Sequence, residues 1–294
     1  MRNIILGTDW WTDCDDAVAL RMLARAHKKG EICIKGIGIN GCMEYSVTSV
    51  EGFLCTEGVY DIPLGIDLDG TDFGGNPPYQ KRLVEYAKKY HSNKDAENAV
   101  RLYRRILAES TEPVEIIEIG YLQVISAVLA SGSDDISPMT GLQLIAEKVP
   151  KIWVMAGKWD ENPGKENNFA RNERARIAAN YFCETCPVEV TFLGWEVGFD
   201  VITGDTLQKD DVLFDVLVDH GSENGRMSWD PMLVLLALTG DENKAGYSVV
   251  AGKASVNASD GTNLFSEDSD GLHKYVVQTE DNKYYKDMIN GLIV

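Results

Sequence analysis

Ile4-Ile5-Leu6-Gly7-Thr8-Asp9-Trp10-Trp11-Thr12-Asp13-Cys14-Asp15-Asp16-Ala17-Val18-Ala19-Leu20 is the stretch that decides the fold. A short apolar run over 4–6 reads as a buried strand, and four aspartates follow within eight residues, from Asp9 to Asp16. A helical pattern begins immediately afterwards, marked by Ala17, Val18, Leu20, Met22 and Leu23. No lysine or arginine stands between Asp9 and Asp16 to offset the repulsion. A hard cation with oxygen ligands, such as calcium, is the economical way to stabilise such a cluster. Strand C-terminal ends in open α/β sheets are also where ligands bind. Helix capping and the helix dipole account for Asp15 or Asp16, but not for Asp9, which closes the strand ahead of a Trp-Trp turn.

Working outward, strand-like runs recur at 32–39, 114–119, 151–155 and 188–192. Amphipathic helical stretches separate them at 15–27, 46–56, 79–91, 96–108, 122–129 and 172–183, with two more at 211–220 and 231–239. This alternation implies an α/β fold: a mostly parallel central sheet with helices on both faces. From Tyr247 the character changes to short alternating runs (247–251, 274–278) split by Asp260-Gly261 and Asp270-Gly271. That pattern predicts a small C-terminal antiparallel appendage. Gly70–Pro78 is expected to be a mobile loop near the site. With no repeat or linker in view, residues 1–294 read as one domain.

A net charge of −18 argues against nucleic acid or an anionic membrane as partner. No apolar run approaches a membrane span and no leader pattern opens the chain, so the expected location is cytoplasmic. The six cysteines are scattered through apolar segments, as reduced core cysteines are. Cys183-Glu184-Thr185-Cys186 matches CxxC but closes a helix and has no second pair or histidine nearby, so it reads as structural.

The opening strand and loop resemble the nucleoside hydrolases, the inosine–uridine preferring N-ribohydrolases, whose signature is D-x-D, a turn, then D-D-A-x-A-[IL]. Asp9 to Leu20 is similar to a long-turn form of it. Further resemblances follow in order: Asp61-Ile62-Pro63-Leu64, Glu118-Ile119-Gly120-Tyr121-Leu122, Lys151-Ile152-Trp153-Val154-Met155-Ala156-Gly157, Glu166-Asn167-Asn168-Phe169 with Asn172-Glu173, and Trp229-Asp230-Pro231. They span nearly the whole chain and identify a divergent member.

The resemblance implies one calcium ion held by Asp9, Asp16, Asp230 and the main-chain carbonyl of Ile119, with Asp9 as the base toward a water on that ion. It implies calcium-dependent hydrolysis of the N-glycosidic bond of a ribonucleoside or related riboside, through an oxocarbenium-like state. Asp15 matches the contact to the ribose 2′-hydroxyl, while Glu166 and Asn168 match those to the 3′- and 5′-hydroxyls. A homo-oligomer, dimer or tetramer, is implied as well.

Four departures stand out. Gly7 replaces the first Asp of D-x-D, Trp10-Trp11 replace a glycine-containing turn, Ile119 replaces a threonine, and Trp229 replaces the histidine that protonates the leaving base. Without that histidine, aromatic stacking by Trp10, Trp11 or Trp229 is the expected help to the leaving group. His27, His91, His220 and His273 have no motif context. Asp13 is open between a support of the ligands, an extra ligand and a surface residue.

The alternative is a non-catalytic or weakly catalytic riboside-binding protein on the same scaffold. An aspartate-nucleophile phosphotransferase fits less well, because Trp11 stands where its second Asp belongs and no glycine-rich phosphate cradle follows.

Overall fold

The computed structural model describes residues 1–11, 13–71 and 74–294. Thr12 of the signature loop and residues 72–73 of the 70–78 loop lie outside them.

In chain order the strands are β1 (Arg2–Thr8), β2 (Ile32–Ile39), β3 (Leu64–Ile66), β4 (Glu97–Asn98), β5 (Val114–Glu118), β6 (Lys151–Met155) and β7 (Gly164–Lys165). Then come β8 (Glu189–Leu193), β9 (Ile202–Thr203), β10 (Arg226–Met227), β11 (Tyr247–Val256), β12 (Thr262–Glu267) and β13 (His273–Gln278). The first helices are α1 (Asp15–Lys28), α2 (Ser46–Thr56), α3 (Pro78–Leu83), α4 (Ala99–Glu109), α5 (Gln123–Ala130) and α6 (Gly141–Lys148). They are followed by α7 (Asn167–Ala170), α8 (Glu173–Thr185), α9 (Trp195–Gly198), α10 (Val212–His220), α11 (Trp229–Thr239) and α12 (Asn282–Ile293).

Among the described residues, eleven strands form one sheet in the order β4-β3-β2-β1-β5-β6-β8-β13-β11-β12-β7. From β4 to β13 every pairing is parallel. The last three pairings are antiparallel. The C-terminal antiparallel segment is therefore continuous with the main sheet, its strands joined across the two Asp-Gly turns. A separate two-stranded sheet pairs β9 with β10.

β1 runs through the centre with both faces covered. Ile4 and Leu6 pack with Ala17, Leu20 and Leu23 of α1, whereas Ile5 packs with Leu102 and Ile106 of α4. A buried aliphatic side chain of this kind contributes about 1.5–3 kcal/mol, so Leu6→Ala would cost about 2–5 kcal/mol once the cavity is counted. This packing holds the C-terminal end of β1, with its aspartates, in the middle of the molecule.

The helix expected over 79–91 is shorter. It ends at Leu83, passes into a 3₁₀ turn at Val84–Tyr86, and the chain then extends at Ala87. Glu51 of α2 takes the backbone N–H groups of Lys89 and Tyr90 at 2.8 Å each, so a tertiary contact replaces the helical bonds there. The helix expected from residue 96 begins at Ala99, because Asn98 caps it from the N–H groups of Val100 and Arg101. Helix α6 carries a capping box of Thr140 and Gln143, and α12 is capped by Asp281; both signals were legible but neither helix was expected. No helix of the described residues is long and apolar enough to cross a membrane. Cys183 and Cys186 are buried free thiols.

Candidate active site

The ends of β1, β5 and β6 open into a cavity of about 300 Å³. Asp9, Asp13, Asp15, Asp16, Ile119, Glu166, Asn168, Trp11, Trp229 and Asp230 all line it, so the expected residues are brought to one place except Trp10.

The backbone shapes this convergence. Trp10 adopts a left-handed φ of 50°, a conformation that costs a bulky residue energy and is held by its surroundings. Its N–H then meets Thr8 Oγ1 at 3.0 Å and Asp16 Oδ1 at 3.2 Å. Thr8 Oγ1 also donates to Asp16 Oδ1. Asp9 Oδ1 accepts from the N–H of Trp11 at 3.0 Å. Gly120 lets the end of β5 lie against β1: a Cβ there would stand 2.4 Å from the Asp9 nitrogen.

Capping does not explain the aspartates of α1. Its N-cap is Cys14, without a side-chain cap bond, and Asp15 and Asp16 occupy the first turn with their side chains in the cavity. Asp230 likewise sits inside the first turn of α11, whose N-cap is Ser228. Asp15 Oδ2 reaches across to accept the N–H of Asp230 at 3.1 Å.

Asp9, Asp15, Asp16 and Asp230 are each less than a tenth exposed. Burial pushes all four carboxyls above their usual range, Asp9 to about 8, and the neighbouring carboxylates add to the effect. Carboxylate oxygens of Asp15, Asp16 and Asp230 lie within 4.8 Å of one another. Calcium binds oxygens at 2.3–2.6 Å, so ligands on one ion stand up to about 5 Å apart. An oxygen-only, buried cluster of this spacing fits a hard cation; Asp9 and Ile119 line the same cavity, but the close group contains Asp15 and not the expected Asp9.

Among the described residues, the cation at the cluster is Arg226, paired with Asp13 at its edge. Arg226 donates to both oxygens of Asp13 at 2.7 and 2.5 Å, which excludes Asp13 as a plain surface residue. The same guanidinium lies 5.6 Å from the Trp229 ring centre. Glu166 is the N-cap of α7, accepting from Asn168 N–H at 2.7 Å and Gly157 N–H at 3.0 Å. Burial still raises its carboxyl to about 7. Asn168 donates its amide to the Met155 carbonyl at 2.9 Å.

Gly7 has a structural counterpart. It pairs with Glu118 on β5, and a Cβ on residue 7 would stand 1.8 Å from Glu118 Oε2. A buried carboxyl from the neighbouring strand thus fills the space that a side chain at position 7 would take. Burial raises that carboxyl to about 8, against the hydrogen bond from Tyr103.

The tryptophans divide. Trp10 is core, not cavity: it is fully buried against Phe53 and Tyr79, with Nε1 on Ser49 Oγ at 2.9 Å. Trp11 lines the cavity and donates to the Gly75 carbonyl at 3.0 Å, which places that part of the 70–78 loop beside the site. Trp229 stacks with Trp195 at 6.3 Å and 29°, fixed by its Nε1 on the Trp195 carbonyl at 2.7 Å. Trp195, Tyr121 and Arg171 were missed from the sequence, although Trp195 follows the end of β8, where such residues belong. His220 and His273 do not line the cavity, and burial holds His273 down to about 4.

No protein-family model matches the chain, and no curated protein matches it in sequence. Solved structures do match. A plant nucleoside hydrolase superposes with a TM-score of 0.73 at 16% identity, over 99% of this chain and 98% of the other. The purine-preferring ribonucleoside hydrolase of Gardnerella vaginalis gives 0.72 at 16% identity, over 99% of each chain. The inosine–uridine preferring nucleoside hydrolase of Bacillus anthracis gives 0.70 at 14% identity, over 100% and 99%. The fold is that of the nucleoside hydrolases. Within the nucleoside hydrolase fold, the aspartate-lined cavity at the strand ends is the place where the sheet architecture puts a ligand.

Proposed function

We propose that this protein hydrolyses the N-glycosidic bond of a ribonucleoside or related riboside, giving ribose and free base. The observation that carries the reading is the convergence of four buried, under-neutralised aspartates at the strand ends of a nucleoside hydrolase fold. Asp9, Asp16, Asp230 and the Ile119 carbonyl would hold calcium; Asp16 and Asp230 already stand in one close group of carboxylates, whose third member is Asp15, while Asp9 lines the cavity outside that group. When bound, the ion supplies a Lewis acid that polarises water and anchors sugar hydroxyls.

The chain's own residues do the rest. Asp9 takes the proton of the attacking water, as the carboxylate that lines the cavity at the end of β1. Asp15, Glu166 and Asn168 bind the ribose hydroxyls and keep C1′ facing Asp9. The negative wall around C1′ stabilises the positive charge that develops as the bond to the base breaks. Trp229, locked on Trp195, offers its face to the departing base.

A second reading, a riboside-binding protein with little turnover, is favoured by one observation: no histidine lines the cavity among the described residues. Release of reducing sugar from a panel of purine and pyrimidine ribonucleosides, with calcium and then with chelator, decides between them. Calcium-dependent release that disappears in Asp9→Asn supports the hydrolase. Calcium-dependent ligand binding without release favours the binding protein.

A further inference from the structure

A neutral base leaves C1′ readily only when an acid protonates it, so that it does not depart as an anion. The chain's four histidines all belong to the described residues, and none lines the cavity. On the base side, where Trp195 opens α9 and Trp229 opens α11, the wall presents indole faces and the carboxylate of Asp13. The Trp229 N–H is taken by the Trp195 carbonyl at 2.7 Å. Arg226 holds both Asp13 oxygens in an ion pair and lies 5.6 Å from the Trp229 ring centre, which ties Asp13 to that indole. Asp13 also stands outside the close group of Asp15, Asp16 and Asp230. It therefore offers acceptor oxygens to the base side, not a proton. The phenol of the wall, Tyr121, belongs to the α7 side, where the Asn167 amide donates to it at 3.3 Å.

Indole faces beside a carboxylate are surroundings that attract a positively charged aromatic ring. The protein's own cations at these indoles have acidic partners: Arg226 has Asp13, and Lys158, 5.2 Å from the Trp195 ring centre, has Asp160 and Glu161. A chain of net charge −18 also draws a cationic ligand inward. Hence we infer that the riboside cleaved here carries its base as a cation, a quaternary aromatic ring such as a pyridinium joined to C1′ through its charged nitrogen. This rests on the riboside reading above and names the substrate class. Such a base needs no acid. The water oxygen bonds to C1′, the C1′–N bond breaks with its electron pair passing to the ring nitrogen, the base leaves neutral, and the water proton goes to Asp9.

The test uses two carbocyclic ribosides that resist hydrolysis, because a methylene replaces the sugar ring oxygen, and that differ in one atom: one carries pyridinium at C1′, the other phenyl. In calorimetric titrations with calcium present, the pyridinium compound should bind about tenfold more tightly, with the gap narrowing as salt rises. Trp229→Leu keeps apolar bulk but removes the π face and should close most of the gap, whereas Trp229→Phe should retain it; melting curves check that both fold. Asp13→Asn is the second variant and should narrow the gap as well. In turnover, N-ribosylpyridinium should release ribose with a kcat/KM at least about 100-fold above that of inosine. Equal binding of the two analogues overturns the cation inference and leaves the riboside reading standing. A gap that survives both Trp229→Leu and Asp13→Asn, or inosine cleaved as efficiently as N-ribosylpyridinium, also overturns it. Binding of neither analogue, with no ribose released from either substrate, overturns both readings together.

Discussion

Two acidic regions meet helix α1, and they are handled in opposite ways. About one and a half turns along α1 from Asp15 and Asp16, Arg21 donates to Glu57 at 2.7 Å and to both oxygens of Asp211 at 2.6 Å, with almost no solvent on the guanidinium. Burial pushes the Asp211 carboxyl up, but the bonds from Arg21 more than reverse this, leaving it below the usual range. At the start of the helix, Asp9, Asp15, Asp16 and Asp230 have no such ion pair among the described residues, and burial drives them up. Both regions confine negative charge, but the protein supplies the counter-charge for only one of them. A structural ion pair closes on itself, whereas a site keeps its charge unsatisfied until something binds.

This contrast can be broken in several ways. The largest expected effect is on activity: Asp9→Asn should lower riboside hydrolysis about 10³-fold, the scale of a lost general base, while the fold survives. The next is the pH dependence of stability. Without a cation, Asp9 binds its proton with a pKa of about 8 in the folded protein, against 3.8 when unfolded, so its contribution is fully present below about pH 4 and is lost as pH rises toward 8. The slope should reach up to about 1.4 kcal/mol per pH unit. Asp211 acts with the opposite sign, since its lowered pKa contributes stability that is lost on acidification. Melting curves across this range, with chelator and with calcium, check both: calcium should raise Tm more at pH 8 than at pH 5.

Arg21→Met should destabilise the protein by about 3 kcal/mol, because it leaves the buried Glu57 and the half-buried Asp211 without their cation. The calcium-induced rise in Tm should persist in that variant. Asp16→Asn should do the reverse, raising the Tm of the cation-free protein by the equivalent of about 1 kcal/mol and abolishing the calcium response. If both substitutions destabilise the cation-free protein alike, the two regions are not different in kind. The smallest effect is Trp229→Ala, a loss of about 1 kcal/mol of stacking that should appear as an increase of about fivefold in KM for purine ribosides.

Much of this was legible in the sequence because the information is local. The apolar run 4–6 and the periodic helix after Asp16 fix β1, α1 and the strand-end position of the aspartates. Motifs of fixed spacing carried the remaining site residues, and all of them reach the cavity. Helix 79–91 failed because Glu51, far away in sequence, takes the backbone donors of residues 89 and 90. Trp10 and Trp11 look alike in sequence; a positive φ at Trp10 turns one into the core and leaves the other at the mouth.

By itself, then, the sequence determined which strand end carries charge, how the sheet is layered, and which residue types could meet a cation and a sugar. These follow from periodicity, composition and spacing along the chain. Only the tertiary structure decided that Asp13 is tied to Arg226, that Glu118 occupies the space beside Gly7, and that Trp195 backs Trp229. Each of these is a contact between segments distant in sequence, set by how helices and strands pack around the sheet, and no local pattern encodes it.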